Sequence, residues 1–328
     1  FIVKASVRRR RKTQEMTEQQ QTPANEAEQA VPTRSGFIAL IGAPNAGKST
    51  LVNQLVGSKV SIVTHKVQTT RALVRGIVIH DRTQMVLVDT PGIFKPKRRL
   101  DRAMVTTAWG GAKDADIILV LIDVEQGIDD EAEVLLDNLR DKKRKIILVL
   151  NKVDRIEAPM LLELAGKANE KVKFDRTFMI SDLKGHGCRD LLKYLAENLP
   201  EGPWYYPEDQ ISDMPMRMLA AEITREKLYL RLHNELPYSS TVETESWEEK
   251  KDGSVRIQQV IYVERDSQKK IVLGHEGQAI KSIGQAARKE LMEILEQKVH
   301  LFLFVKVRDN WGNDPERYRE MGLEFPNS

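Results

Sequence analysis

The chain has 328 residues, 41% of them hydrophobic and 30% charged, with 51 Lys and Arg against 48 Asp and Glu. That length suits about two domains able to bury a core, and the composition excludes a mostly disordered chain. No apolar run approaches the ~20 residues of a membrane-spanning helix, and the single cysteine, Cys188, excludes a disulfide framework or a Cys-cluster zinc site.

The formal charge of +3 is unevenly placed. Residues 1–15 carry six basic side chains and one acidic, residues 16–200 carry 27 and 24, and residues 201–328 carry 18 and 23. Global charge is therefore poor evidence for a nucleic-acid partner, and only local clusters inform. Residues 1–35 show no hydrophobic periodicity and read as disordered. The basic start lacks both the apolar core of a secretory signal and the Ser-rich pattern of a transit peptide. Met16-Thr17-Glu18-Gln19 has the look of an initiator, so residues 1–15 read equally as an upstream extension or as a basic arm.

From Gly36 to Pro200 short apolar runs (Phe37–Ile41, Gly76–Ile79, Met85–Val88, Ile117–Ile122, Ile146–Leu150, Thr177–Ile180) alternate with helix-length stretches such as Ser49–Val56, Glu131–Arg140 and Leu161–Glu170. The pattern predicts an α/β domain over 36–200, a six-stranded, mostly parallel sheet with helices on both faces. Ligands bind such sheets at the carboxyl ends of the strands.

Three motifs fall there. Gly42-Ala43-Pro44-Asn45-Ala46-Gly47-Lys48-Ser49 follows the first strand and, with Thr50, opens a helix. This is the GxxxxGKS loop, whose backbone N–H groups wrap phosphates. Lys48 is placed to reach the β- and γ-phosphates and Ser49 to ligate Mg²⁺. Asp89-Thr90-Pro91-Gly92 ends the third strand; Asp89 can hold Mg²⁺ through water, and the Gly92 N–H can sense the γ-phosphate. Asn151-Lys152-Val153-Asp154 follows the fifth strand. A carboxylate at Asp154 accepts two hydrogen bonds that guanine supplies and adenine cannot, which selects GTP over ATP.

Residues 201–214, with Gly202-Pro203 and Pro207, read as a linker. Beyond it, Met216, Leu219, Ala220 and Ile223 take helical spacing, Ser240–Glu245 and Val255–Val263 are β-rich, Gln278–Gln297 is helical, and Val299–Val307 alternates as a strand. The expectation is a smaller α+β domain over 215–328. Within it, Gly274-His275-Glu276-Gly277 is a GxxG loop of the kind that lets a nucleic-acid backbone approach closely in KH modules. From Arg265 to Lys289 six basic residues (Arg265, Lys269, Lys270, Lys281, Arg288, Lys289) face two acidic ones, a basic cluster inside an acidic domain. Ile271, Leu273, Ile280 and Ile283 are expected to bury the helical pair. Trp204, Tyr205 and Tyr206 are expected to pack between the domains.

The GxxxxGKS, DxxG and NKxD motifs in this order resemble the TRAFAC-type small GTPases. That resemblance implies a first switch at Gln68-Thr69-Thr70-Arg71, with Thr70 the better candidate for closing on Mg²⁺ and Thr69 the alternative, so that Ser49, Thr70 and Asp89 form the metal set and Lys48, Thr70 and Gly92 the catalytic one. It also implies a last base-binding loop at Ser181-Asp182-Leu183-Lys184, where the family usually has Ser-Ala. Ile93 stands where signalling GTPases place a water-orienting glutamine, so slow intrinsic hydrolysis is expected.

With the KH-like domain added, the chain closely resembles the Era family of bacterial ribosome-assembly GTPases. Further residues carry the likeness: Lys59–Val63, Gln68–Arg71, Glu235–Ser239, Val263-Glu264-Arg265 and Gln268–Gly274. The resemblance implies a type II KH fold, GTP/GDP and Mg²⁺ as ligands, and GTP-controlled binding of the 16S rRNA 3′ end in assembly of the 30S subunit. It implies RNA contacts through Lys269, Lys270, Gly274, His275, Glu276, Gly277, Lys281 and Arg288. A monomer in the cytoplasm, with some peripheral inner-membrane association, completes the expectation. Two other readings remain at this point, a GTPase of tRNA modification and an RNA scaffold whose nucleotide site is structural.

Overall fold

The computed structural model describes residues 2–4, 32–140, 144–232 and 236–326. In chain order the first part comprises β1 (Ile2–Lys4), β2 (Arg34–Gly42), α1 (Lys48–Val56), β3 (Val74–His80), β4 (Thr83–Asp89), α2 (Arg99–Asp114), β5 (Ile117–Asp123), α3 (Asp130–Asp137), β6 (Lys145–Asn151), α4 (Ala158–Lys171), β7 (Arg176–Ile180) and α5 (Cys188–Asn198). There follow β8 (Gln210–Pro215), α6 (Met216–Arg231), β9 (Ser240–Glu249), β10 (Val255–Val263), α7 (Asp266–Leu273), α8 (Gln278–Leu295), β11 (Val299–Val307) and α9 (Pro315–Glu320).

The six strands expected over 36–200 form one sheet in the order β3-β4-β2-β5-β6-β7, parallel throughout except for the β3/β4 pair. Strand periodicity sorts their side chains. Ile38, Leu40, Leu119, Leu121, Ile147 and Val149 meet α1 and α5 on one face. Ala39, Ile41, Ile118, Val120, Leu148 and Leu150 meet α2, α3 and α4 on the other. Both faces are covered, which is why these strands read as continuous apolar runs rather than alternating ones.

Three expectations change here. The stretch 201–214 is not all linker: β8 adds a seventh strand antiparallel to β3, and β1 pairs with β8 beyond it. Strand β2 starts at Arg34, three residues before the expected run, where Arg34 donates to the Leu199 carbonyl and Ser35 to that of Pro203; residues 5–31 of the expected disordered segment lie outside the described residues. Trp204–Tyr206 pack on the first domain instead of between the two. The Trp204 indole donates to the Arg82 carbonyl, the Tyr205 ring packs at a tilt against Phe37, and the Tyr205 and Tyr206 N–H groups donate to Gln84.

The second domain is a three-stranded sheet, β11-β10-β9, covered on one face by α6, α7 and α8. Its core contains Val272 and Ile283, while Ile271 is 58% exposed, so α7 turns Val272 inward and Ile271 toward solvent beside the GxxG loop. The C-terminal segment returns to the first domain: Trp311, Tyr318 and Leu323 pack with Ala72, Leu100, Ala103 and Met104. Among the described residues no helix is long and apolar enough to cross a membrane.

Candidate functional site

The three motifs converge at the carboxyl ends of β2, β4 and β6. A cleft of about 460 Å³ there is lined by Pro44, Asn45, Gly47, Lys48, Ser49 and Thr50, and by Thr70, Gly92, Lys152 and Asp182 from the other loops. The Lys48 ammonium donates to the carbonyls of Gly42 (3.1 Å) and Ala43 (2.8 Å) inside its own loop. Burial pushes its pKa down to about 8, against the pull of the Asp89 and Glu131 carboxylates. Gly92 lies against Pro44 so closely that a Cβ would sit 2.9 Å from its atoms.

Asp89 is the centre of the phosphate end. Its Oδ2 accepts from Ser49 Oγ (2.6 Å), Ser61 Oγ (2.6 Å) and Thr70 Oγ1 (3.3 Å), and the Ser49 and Thr70 hydroxyls are 2.8 Å apart. Its Oδ1 is buried with no partner among the described residues. Burial raises the Asp89 pKa, while these hydroxyls and Lys48 hold it down. A buried carboxylate with one oxygen unmatched, beside two converging hydroxyls, is a hard-oxygen set that suits Mg²⁺. Thr69 does not join this cluster; its hydroxyl pairs with Thr64 (2.6 Å) and the Lys66 carbonyl (2.7 Å). Ser61 is the member that the motifs missed. Asn53 of α1 positions it by accepting from the Val60 and Ser61 N–H groups, both at 2.9 Å.

At the base end, Asn151 Nδ2 donates to the Ala46 carbonyl (2.9 Å) and to Asp182 Oδ2 (2.8 Å). Lys152, in a left-handed backbone conformation, reaches the Asn45 carbonyl (3.0 Å) and the Asp123 carboxylate. Asp123, also missed, was legible as an acid ending the buried strand β5. The Ser181 side chain and the Lys184 ammonium, 3.0 Å away, hold the Asp154 carboxyl down at about 2. Asp182 is buried, and its carboxylate ties to Asn151 while its N–H donates to Asn151 Oδ1 (3.1 Å). The substituted loop thus joins the Asn151 network. Cys188 is buried beneath it, with its thiol pushed up to about 11 by burial and Asp182.

In the second domain the GxxG loop joins α7 to α8. Gly274 takes φ 72°, ψ −179°, and Gly277 caps α8 at φ 75°. His275 and Glu276 are exposed, as are Lys270, Lys281, Arg288 and Lys289, with Lys269 half-buried. None of these five cations pairs with a carboxylate among the described residues. The acidic Glu290 on the same helix is instead occupied by Lys59 and Lys227.

Residues 37–152 match the 50S ribosome-binding GTPase family and residues 235–312 the KH domain family. The GTPase Era of Brucella suis biovar 1 is 77% identical over 305 residues, covering 93% of this chain and 98% of the relative. That of Mesorhizobium japonicum is 76% identical over 294 residues, covering 90% and 95%. The chain belongs to the Era GTPase family. The fold agrees across both domains. The crystal structure of Era in complex with MgGDPNP and nucleotides 1506–1542 of 16S ribosomal RNA superposes with a TM-score of 0.84 at 38% identity, covering 88% of this chain and 99% of the other. A single-residue variant of Aquifex aeolicus Era bound to GDP·AlF4⁻ gives the same values. In this Era-family chain the nucleotide motifs and the GxxG loop fall in the two separately matched regions, and α6 meets the segment around Thr70 through Arg225 and Tyr229.

Proposed function

We propose that the chain is a Mg²⁺-dependent GTPase whose KH domain grips the 3′ end of 16S rRNA under control of the bound nucleotide, in assembly of the 30S subunit. The observation that carries the nucleotide half is the convergence of Ser49, Thr70 and Asp89, with its unmatched Oδ1, beside the phosphate loop. The Gly42–Thr50 backbone would wrap the phosphates. Lys48 would exchange the carbonyls of Gly42 and Ala43 for phosphate oxygens, keeping its proton as a positive charge on the leaving side. Ser49, Thr70 and Asp89 would hold Mg²⁺, which would supply positive charge to the phosphates there. The Gly92 N–H would meet the γ-phosphate, and Asn151, Lys152 and Asp154 with the Ser181-Asp182 loop would frame guanine.

With Ile93 buried in the core in place of a water-orienting glutamine, the proposed intrinsic rate is slow. The RNA half rests on the unpaired cations around Gly274–Gly277, on the KH family match and on the RNA-bound Era relative. A ribosomal partner supports a cytoplasmic site of action.

Lys48→Ala tests the pair. It is expected to abolish triphosphate binding, and RNA affinity should then no longer respond to added nucleotide. Unchanged triphosphate binding would refute the site. Loss of triphosphate binding with an RNA affinity equal to that of the GTP-loaded wild type would favour a scaffold over a switch.

A further inference from the structure

Thr70, like Ser61, comes to the metal-facing cluster from the loop between α1 and β3, and both of its neighbours are held by the other domain. On its N-terminal side, the Thr69 carbonyl accepts from Arg225 Nη2 at 2.6 Å. On its C-terminal side, Arg71 Nη2 donates to the Tyr229 hydroxyl (2.6 Å) and the Ser240 carbonyl (3.1 Å). Upstream, the Val63 N–H donates to Glu226 Oε1 at 2.9 Å. The α6 residues concerned, Arg225, Glu226 and Tyr229, together with Glu222, recur at helical spacing and form one polar stripe facing the first switch. Arg225 is 1% exposed; Glu222 fixes its Nε at 2.7 Å, and its guanidinium lies 5.0 Å from the Tyr229 ring centroid. A side chain locked in this way fixes the position of the carbonyl it holds.

We propose that Arg225 is a positioning residue for the nucleotide site: from the KH domain it fixes the backbone before Thr70, so that the Thr70 hydroxyl faces Ser49 and Asp89. This rests on the function proposed above. Arg225 touches neither phosphate nor metal; it acts through Thr69. Its loss should weaken only the part of nucleotide affinity that needs Thr70, leaving the phosphate loop and the base pocket intact.

The test is equilibrium binding of a fluorescent non-hydrolysable GTP analogue to the full chain, in Mg²⁺ and in EDTA, for wild type, Arg225→Ala, Arg225→Lys and Glu222→Gln. Wild type should bind more tightly in Mg²⁺. Arg225→Ala should lose about tenfold in Mg²⁺, the scale of one charge-assisted hydrogen bond, and less than twofold in EDTA. Arg225→Lys should recover part of the loss, and Glu222→Gln should show a smaller one. If Arg225→Ala does not fold, the other two variants carry the same comparison. An equal loss in Mg²⁺ and EDTA, or no loss, overturns the assignment of Arg225 while leaving the GTP site standing. A wild-type chain with no Mg²⁺ dependence overturns the underlying function as well.

Discussion

Lys48 shows how one residue can be read from sequence as to its task and only from structure as to its state. Spacing placed it at the phosphates; burial against its own loop is what brings it to about 8. Because this value lies below the usual lysine one, burying the ammonium costs stability below about pH 8. That cost is relieved as pH rises from about 8 toward 10.5. Nucleotide affinity should move the other way, since the phosphates need the proton. GTP-analogue affinity is expected to fall as pH rises through about 8; a pH series of binding isotherms on the wild-type chain checks it, and a flat series would contradict it. Asp154 behaves differently. Held at about 2, its carboxylate stays ionised across the working pH range, so guanine selectivity should be flat above pH 4 or so. Asp154→Asn should weaken GTP binding by roughly 10²-fold or more and shift preference toward xanthosine triphosphate, whose 2-oxo group accepts the hydrogen bond that an amide offers. Competition binding with the two nucleotides decides it. Asp182 departs from the Ser-Ala pattern in a way the sequence alone does not explain, and its bond to Asn151 shows how a carboxylate is accommodated there.

At the scale of elements, periodicity located the strands because both sheet faces are buried, and β10 and β11 match their expected spans. It failed where a segment takes its structure from a distant neighbour. β8 contains Ser212 and Asp213, and it is a strand because β3 offers an edge, with Ser212 donating to the Arg75 carbonyl and Asp213 pairing with Arg75. In α7 the core takes Val272 and not Ile271, since the two are equally apolar and only the direction of the helix selects between them. The α7–α8 junction gives a sharp prediction. Gly274 holds a positive φ with extended ψ, and a Cβ there would lie 2.6 Å from the Ala279 Cβ; at Gly277, also at positive φ, the space is open. Gly274→Ala should therefore destabilise the chain by about 2–4 kcal/mol, against about 1–2 kcal/mol for Gly277→Ala. Chemical denaturation of the two variants, monitored through the second domain, would reveal equal costs if this is wrong.

For the whole molecule, net charge pointed toward nucleic acid from the wrong place. Its excess lies in residues 1–15, whereas the cations without a carboxylate partner among the described residues sit on α7 and α8 of an acidic domain. Oligonucleotide binding should therefore be salt-dependent but shallow, with a log–log slope of roughly −3 if four or five phosphates are met. What no motif announced is the contact between the domains. Lys59 bonds Glu226 and Glu290, Val63 bonds Glu226, and Arg71 is buried between Tyr229 and Trp311. Glu290 lies on α8, the helix that follows the GxxG loop, so an ordered path of side chains joins the loop before Thr70 to that helix. Motion of Thr70 toward a bound nucleotide would pull on this path, and by linkage RNA binding would act back on the nucleotide. The most direct measurement of that claim is the affinity of the full chain for an oligonucleotide matching the 16S rRNA 3′ end, taken with a GTP analogue and with GDP at two salt concentrations. Binding at least tenfold tighter with the GTP analogue, at both salt concentrations, is the predicted result; equal affinity in the two nucleotide states would contradict it.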